Sequence, residues 1–321
     1  MPRFDLSLAE LEQYAPAVRE PADFDAFWAD TIGAARRHDA APEAVVVETP
    51  LRLVDVFDVT FPGYAGDPVK AWLTVPAGAP DPLPAVVEFN GYGGGRGLPG
   101  ERLAWANGGY AHLLMDTRGQ GSTWGTGGAT PDPHGSGPSA NGFLTRGIDH
   151  PADHFYRRVY TDAVRAVDAV RALPQVDAAR VAVCGVSQGG GIALAAAGLC
   201  DGLIGAMPDV PFLCCFERAV GLTDRDPYQE VVRYLAVHRG AEDRVFETLS
   251  YFDGANMARR ADAAALFSVA LLDPVCPPST VYAAFNRYAG PKRIEVYPHN
   301  EHEGGEAHQW HKQARFLEAL V

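Results

Sequence analysis

Two kinds of hydrophobic pattern alternate along most of the chain. Short, mostly apolar runs are typical of strands covered on both faces, and apolar residues at three- and four-residue steps are typical of helices. The predicted strands are 85–89, 111–115, 181–184, 203–207, 266–271 and 293–297, and the predicted helices are 162–173, 190–199, 279–288 and 307–320. This alternation predicts an α/β fold with a doubly wound, mainly parallel sheet and helices on both faces.

The N-terminal part follows a different rhythm. Residues 1–40 are polar and amphipathic and predict an N-terminal helical extension, whose apolar stripe is formed by Phe24, Phe27, Trp28 and Ile32. Residues 54–61 then alternate with period two, residues 62–67 interrupt them, and residues 69–75 resume the pattern. This arrangement predicts an antiparallel hairpin at one edge of the sheet.

Two further segments interrupt the alternation of strands and helices. Residues 119–160 are rich in Gly, Pro and His and predict a long irregular excursion, which in a compact domain is usually functional or a lid. Residues 211–262 predict a helical insertion between two strands. We find neither an internal repeat nor a linker, so residues 1–321 are expected to form a single domain.

Composition narrows the function classes. The chain has 27 Lys and Arg against 40 Asp and Glu, a formal charge of −13, which argues against nucleic acids and anionic membranes as partners. No run approaches the ~18 apolar residues of a membrane span, and the acidic N-terminus lacks the apolar core of a secretory signal. A cytoplasmic location is therefore expected. The five cysteines form no C-x-x-C pair and are expected to be buried rather than disulfide-bonded.

Residues 185–189 carry the strongest chemical signal. They read G-x-S-x-G, with Ser187 at the centre, after predicted strand 181–184 and before predicted helix 190–199. This strand–turn–helix context is typical of a nucleophile elbow, in which small neighbours permit a strained serine. The alternative is an ordinary glycine-rich turn.

A serine nucleophile needs a base and a carboxylate that orients it. On folds of this kind the three follow in the chain order Ser, Asp, His, each after a strand. Asp273 follows strand 266–271, and His302 follows strand 293–297. The alternatives are that Asp273 is a helix cap or turn residue and that His299 takes the place of His302.

The loop after strand 85–89 is a candidate oxyanion hole. Residues 90–97 read NGYGGGRG, and the backbone N–H groups of Tyr92 and Gln188 are the predicted donors to a developing oxyanion. The loop is a poor phosphate cradle because it lacks the Lys-Ser/Thr ending of a P-loop.

Several histidines lie near the C-terminus, but their spacing matches no known zinc-binding motif. The H-E-x-x-H pattern that would begin at His302 fails because position 306 is Glu306. His308 and His311 are spaced to share a helix face but are expected to be surface residues. No metal and no cofactor are therefore expected.

Three motifs together resemble the acetyl xylan esterase / cephalosporin C deacetylase family, which is carbohydrate esterase family 7. They are Arg118-Gly119-Gln120, the elbow 185–190 and His302-Glu303, and segments 155–165 and 276–281 are also typical. The resemblance implies an α/β-hydrolase fold, a triad of Ser187, Asp273 and His302, and an oxyanion hole from Tyr92 and Gln188. It also implies that Arg118, Gly119, Gln120 and Glu303 support the site structurally.

The resemblance also implies an activity. It predicts a serine esterase that removes acetyl groups from short acetylated xylo-oligosaccharides, cephalosporin C and small acyl esters through an acyl-enzyme, in a cytoplasmic homohexamer. Trp124 is a candidate for stacking on a sugar ring, with core packing as the alternative. Residues 125–141 are richer in Gly and Pro than is typical, which leaves local substrate contacts open. The other functions considered are a carboxylesterase, lipase or peptidase on the same fold and a binding protein that has lost catalysis.

Overall fold

A computed structural model describes residues 4–135 and 140–321. The strands in this range are β1 (Glu43–Val47), β2 (Val54–Pro62), β3 (Pro68–Pro76), β4 (Leu83–Phe89), β5 (Ala111–Met115), β6 (Val176–Val186), β7 (Gly205–Asp209), β8 (Ala264–Ala270) and β9 (Lys292–Tyr297). The helices are α1 (Leu8–Leu11), α2 (Phe24–Arg36), α3 (Ala104–Asn107), α4 (Phe155–Arg171), α5 (Gln188–Leu199), α6 (Phe216–Leu222), α7 (Gln229–Val237), α8 (Glu242–Ser250), α9 (Gly254–Ala258), α10 (Pro278–Arg287) and α11 (Glu306–Glu318).

All these strands belong to one sheet, in the order β1-β2-β3-β5-β4-β6-β7-β8-β9. The pairs β1–β2, β2–β3 and β3–β5 are antiparallel, and every pair from β5 through β4 to β9 is parallel. The mainly parallel sheet is therefore confirmed. The hairpin predicted over residues 54–75 is confirmed as β2 and β3, and β1 adds an edge strand beyond it.

The sheet separates two apolar layers because successive residues of a strand point to opposite faces. Val87 and Val183 pack on the same side as α4 and α5. Val86 and Ala182 pack on the other side, with Trp105 of α3 and with α11. Helices thus cover both faces, and the carboxyl ends of the parallel strands are left to carry the functional loops.

Helix α4 begins earlier than the pattern predicts, at Phe155 rather than at residue 162. The His154 side chain caps it by accepting a hydrogen bond from the Tyr156 N–H. Arg158 is only 3% exposed and donates hydrogen bonds to the Asp132 carboxylate. The first turns of α4 therefore bury a charged residue through pairing, and an apolar pattern cannot predict a helix there.

The helical insertion predicted at residues 211–262 is present as α6 to α9, between β7 and β8. The N-terminal extension contains α1 and α2, and the indole of Trp28 in α2 donates a hydrogen bond of 3.0 Å to the Tyr251 carbonyl in the insertion. The segment between β5 and α4 has no long helix or strand among its described residues; positions 136–139 of the Gly- and Pro-rich stretch lie outside the description. Over the described ranges, no helix combines the length and apolar character needed to cross a membrane.

Candidate active site

Ser187 occupies a sharp turn between β6 and α5. Its backbone has φ 58° and ψ −118°, a conformation that non-glycine residues rarely adopt and that costs about 1–3 kcal/mol. Two hydrogen bonds of 2.9 Å hold it there, from the Ser187 N–H to the Asp209 carbonyl and from the Phe212 N–H to the Ser187 carbonyl. A Cβ on Gly185 would lie 2.4 Å from the backbone of Gly189, so the turn requires glycine at position 185. This is the geometry of the predicted elbow.

The structure brings Ser187, Asp273 and His302 together. His302 Nε2 lies 3.0 Å from Ser187 Oγ, and His302 Nδ1 lies 2.9 Å from Asp273 Oδ2. The other carboxylate oxygen of Asp273 accepts hydrogen bonds from the N–H groups of Val275 and Cys276 at 2.8 and 2.9 Å. Asp273 is fully buried, so its orientation is fixed, whereas the His302 side chain is 31% exposed.

The alternatives considered for these two positions do not match the geometry. Asp273 does hydrogen-bond the following turn, but it also contacts His302 through its second oxygen. His299 is exposed. The histidine that faces Ser187 is therefore His302.

The predicted oxyanion loop follows β4 directly. Tyr92 is held at both ends: its carbonyl accepts a 2.7 Å hydrogen bond from the Trp124 indole, and its hydroxyl donates to the Glu230 carboxylate. Gln188 is the first residue of α5, so its N–H has no acceptor within the helix. Both predicted N–H donors thus lie on segments that adjoin Ser187.

The Gln188 side chain is fully buried in a polar network beneath the elbow. Its Nε2 donates to the Asn90 carbonyl at 3.1 Å, and its Oε1 accepts from Tyr156 and from Gln120 Nε2, each at 2.9 Å. Gln120 Oε1 in turn accepts from the Gly93 N–H at 2.8 Å. The glutamine of the Arg118-Gly119-Gln120 motif therefore connects the elbow to the oxyanion loop.

The arginine of the same motif lies deeper in the protein. Arg118 is fully buried and makes two bonds, of 2.5 and 2.8 Å, to Asp162 of α4 and a third, of 3.0 Å, to Asp67. Burial disfavours its charge, but the carboxylates of Asp162 and Asp67 raise the pKa of Arg118 above its ordinary value. Gly119 has φ +63° and donates to the Thr130 carbonyl at 2.8 Å. The motif anchors the excursion rather than touching Ser187.

Glu303 is exposed and belongs to the turn that carries His302. Its carboxylate accepts hydrogen bonds from the Asn300 side chain at 2.9 Å and from the Glu301 N–H at 3.1 Å, and these bonds lower its pKa. Its contacts stabilise the turn.

A cavity of about 650 Å³ opens beside Ser187 and His302. Trp124 is part of its wall and is 48% exposed, so the alternative of core packing does not hold for this side chain. The wall also includes residues for which the sequence predicts no role in the site: Glu88, Arg102, Asn141, Asp226 and Pro227.

Among these residues, Glu88 is the one that the sequence pattern could have revealed. It is the charged residue in the otherwise apolar run 85–89. Burial opposes its charge, but His112, whose Nε2 lies 2.9 Å from Glu88 Oε2, and the charge of Arg102 lower the pKa of Glu88 to about 2. The cavity wall therefore carries a fixed ion pair between Glu88 and Arg102.

Among the described residues, a group that could hold a metal coincides with this site. Potential ligand atoms of Asp273, Cys276 and His302 lie within 4.8 Å of one another. The chemistry fits a metal poorly, because both His302 nitrogens lie within hydrogen-bond distance of other groups and burial raises the pKa of the Cys276 thiol well above its ordinary value. The expectation that there is no metal stays a prediction.

A strained serine at a strand–helix turn, a hydrogen-bonded Ser–His–Asp array and a mainly parallel sheet define a protein of the α/β-hydrolase class. Residues 1–320 match the family model described as acetyl xylan esterase (AXE1). The chain therefore belongs to the acetyl xylan esterase family, a family of carboxylic ester hydrolases.

Similar proteins agree with this assignment. The structure of an acetyl xylan esterase from Paenibacillus sp. R4 is 40% identical, with 98% of this chain and 100% of that chain covered and a TM-score of 0.91. Acetyl xylan esterase 1 from Thermoanaerobacterium sp. JW/SL YS485 is 32% identical, with 99% and 100% covered and a TM-score of 0.90.

A curated relative is longer than this chain. Acetyl esterase Axe7A of Xylanibacter ruminicola is 28% identical over 315 residues, which cover 91% of this chain. The chain spans 65% of the length of that relative.

Proposed function

We propose that this protein is a serine esterase that removes acetyl groups from short acetylated xylo-oligosaccharides. The observation that carries the proposal is the position of His302, 3.0 Å from Ser187 Oγ and 2.9 Å from Asp273 Oδ2. A histidine so placed can take the serine proton while the carboxylate fixes its tautomer and stabilises the imidazolium.

The proposed reaction has two steps. Ser187 Oγ attacks the acetyl carbonyl and its proton passes to His302 Nε2; the ester C–O bond then breaks, and His302 returns the proton to the leaving sugar alkoxide. Water attacks the acetyl-serine in the same way and releases acetate and free Ser187. The N–H groups of Tyr92 and Gln188 stabilise the oxyanion of each tetrahedral intermediate.

The cavity supports a sugar ester as the substrate. Its volume of about 650 Å³ falls within the ~300–1,000 Å³ of small-molecule sites. Trp124 presents a half-exposed ring to the cavity, and such a ring suits the apolar face of a sugar. The names of the similar proteins favour an acetyl group, and we extend the proposal to small acyl esters and cephalosporin C.

The first test is hydrolysis of 4-nitrophenyl acetate by the wild type and by Ser187→Ala. We expect kcat to fall by about 10³-fold or more, since the residual rate of a triad variant comes from the oxyanion hole and binding alone. Undiminished activity in the variant would contradict the proposal. A fluorophosphonate should label wild-type Ser187; a folded protein with no adduct would favour a binding protein.

A substrate panel separates the esterase from its rivals on the same fold. We expect acetylated xylo-oligosaccharides and short acyl esters to react faster than butyryl and longer esters. A preference for long chains would indicate a lipase, and cleavage of amides a peptidase. A single domain, the cytoplasmic location, the homohexamer and the absence of a cofactor stay predictions.

A further inference from the structure

Glu230 connects the helical insertion to the oxyanion loop. It lies in α7 and is only 7% exposed, and nothing in the sequence pattern around it predicts a function. Its two carboxylate oxygens lie 2.7 and 2.8 Å from the Tyr92 hydroxyl, which donates to them, and one oxygen also accepts from the Leu144 N–H at 3.1 Å. Burying a carboxylate costs free energy, so the hydrogen bonds of Glu230 indicate that it has a role at this position.

The Tyr92 hydroxyl completes a junction of three segments. It accepts hydrogen bonds from the N–H groups of Phe143 and Gly142, at 2.9 and 3.3 Å, while it donates to Glu230. The Tyr92 ring is also packed edge-on between Phe143 and Phe212. The oxyanion loop, the excursion and the insertion therefore meet at one side chain, and Glu230 supplies the acceptor that its hydroxyl requires.

We propose that Glu230 is a positioning residue that fixes the Tyr92 peptide for oxyanion stabilisation. This inference rests on the proposed function, in which the Tyr92 N–H is an oxyanion donor. The Trp124 indole holds the carbonyl of Tyr92, and Glu230 holds its hydroxyl at the far end of the ring. Two fixed points on one rigid residue determine where its backbone points, and a misplacement of ~1 Å can cost ~10²-fold in rate.

The test compares Glu230→Ala with Glu230→Gln on 4-nitrophenyl acetate. We expect E230A to lower kcat by about 10- to 100-fold with KM within about 3-fold of the wild type, because the oxyanion exists only in the transition state. E230Q should keep kcat within about 5-fold, because a single amide oxygen can accept from both Tyr92 and Leu144, as one oxygen of Glu230 does.

Asp253 provides a matched control within the same insertion. It is 3% exposed, and it accepts hydrogen bonds from the N–H groups of Cys215 and Phe216 at 2.8 and 3.1 Å. Asp253→Ala should lower the midpoint of urea unfolding, because these buried N–H groups lose their acceptor, and should leave kcat within about 2-fold. An equal loss of kcat in D253A and E230A would overturn the proposal, because it would reduce Glu230 to general support of the insertion.

Tyr92→Phe tests the coupling directly and remains informative if E230A does not fold. Removing the hydroxyl should reproduce the kcat loss of E230A, and the double variant should lose little more. Unchanged kcat in Y92F, or multiplicative losses in the double variant, would overturn the proposal. If S187A is inactive and E230A is fully active, the positioning role fails and the esterase stands; if the wild type hydrolyses no ester, the proposed function itself fails.

Discussion

Gly189 occupies the tightest position at the elbow. A Cβ on this residue would lie 2.2 Å from the carbonyl oxygen of Phe89, at the end of β4 and next to the oxyanion loop. The obstacle is backbone, which cannot rotate away like the end of a flexible side chain. A side chain here would therefore push apart the two segments that carry the proposed N–H donors.

We predict that Gly189→Ala lowers kcat for 4-nitrophenyl acetate by at least about 10²-fold, since a displacement of ~1 Å has an effect of that size. It should also lower the free energy of unfolding by about 1–3 kcal/mol through overpacking. The measurements are steady-state kinetics and urea unfolding. A G189A enzyme with wild-type kcat would show that the elbow tolerates the movement.

Gly33 supplies the control for this prediction. It lies in the exposed part of helix α2, and a Cβ there would have no heavy atom within 4 Å. Gly33→Ala should leave kcat unchanged and stabilise the protein by about 0.5–1 kcal/mol, because glycine costs that much in a helix.

Single residues of the site differ in how well the sequence could predict them. Ser187 belongs to a local motif between a strand and a helix, and Asp273 and His302 follow from chain order and strand ends. Glu230 is 138 residues from its partner Tyr92 and lies in a helix with an ordinary amphipathic pattern. Its role depends on the packing of the helical insertion against the oxyanion loop, and the local sequence pattern of α7 cannot predict that packing.

At the scale of elements, Arg118, which follows β5, contacts carboxylates from three other parts of the fold. Besides Asp162 of α4 and Asp67 between β2 and β3, it contacts Asp132 of the excursion at 3.5 Å. The Arg118 and Asp162 side chains have no exposed surface. Since breaking a buried ion pair leaves an unpaired charge in the interior, loss of this arginine affects several elements together.

We predict that Arg118→Met lowers the free energy of unfolding by about 3–5 kcal/mol. In the fraction that stays folded, activity should also fall, because Gln120 and Trp124 lie on the chain that this arginine anchors. The measurement is urea unfolding, followed by kinetics well below the transition.

Arg36 is the matched control, since it makes a similar paired contact to Asp168, with two bonds of 3.0 Å, but is 48% exposed. Arg36→Ala should cost no more than about 1 kcal/mol, as exposed ion pairs do. Similar costs for the two variants would contradict a supporting role for Arg118.

The predicted elements were accurate where apolar pattern and packing agree. Strand 111–115 has the observed bounds of β5 because every residue in it is buried. The apolar pattern predicts a start for helix α4 that is seven residues too late, because Arg157 and Arg158 interrupt the apolar stripe, although both make hydrogen bonds within the fold. Burial of charge by pairing is a tertiary property, and periodicity cannot reveal it.

At the scale of the whole molecule, buried acids make stability depend on pH. Asp209 ends β7 and accepts a 2.8 Å hydrogen bond from Gln313 of α11, and its carbonyl accepts the Ser187 N–H. Burial raises the pKa of Asp209 to about 7, against the hydrogen bond from Gln313, which lowers it. Burial likewise raises the pKa of Asp253 to about 6.

The sign of the effect follows from proton binding. Between the unfolded pKa of about 3.9 and the folded pKa of about 7, the folded protein holds a proton on Asp209 that the unfolded chain has lost. The stabilisation linked to this proton is complete below pH ~4 and disappears as pH rises through about 7. One such group contributes a slope of up to about 1.4 kcal/mol per pH unit.

We predict that Asp209→Asn flattens the fall in unfolding free energy between pH 5 and pH 7 by up to about 1.4 kcal/mol per pH unit. The measurement is urea unfolding at half-unit intervals from pH 5 to pH 8. Asp253→Asn separates the two acids, because it should flatten the curve only below pH ~6 and leave the slope from pH 6 to pH 7 as in the wild type. Equal slopes of unfolding free energy against pH for D209N and the wild type between pH 6 and pH 7 would contradict this prediction. They would mean that Asp209 stays charged in the folded protein because its hydrogen bond from Gln313 outweighs burial.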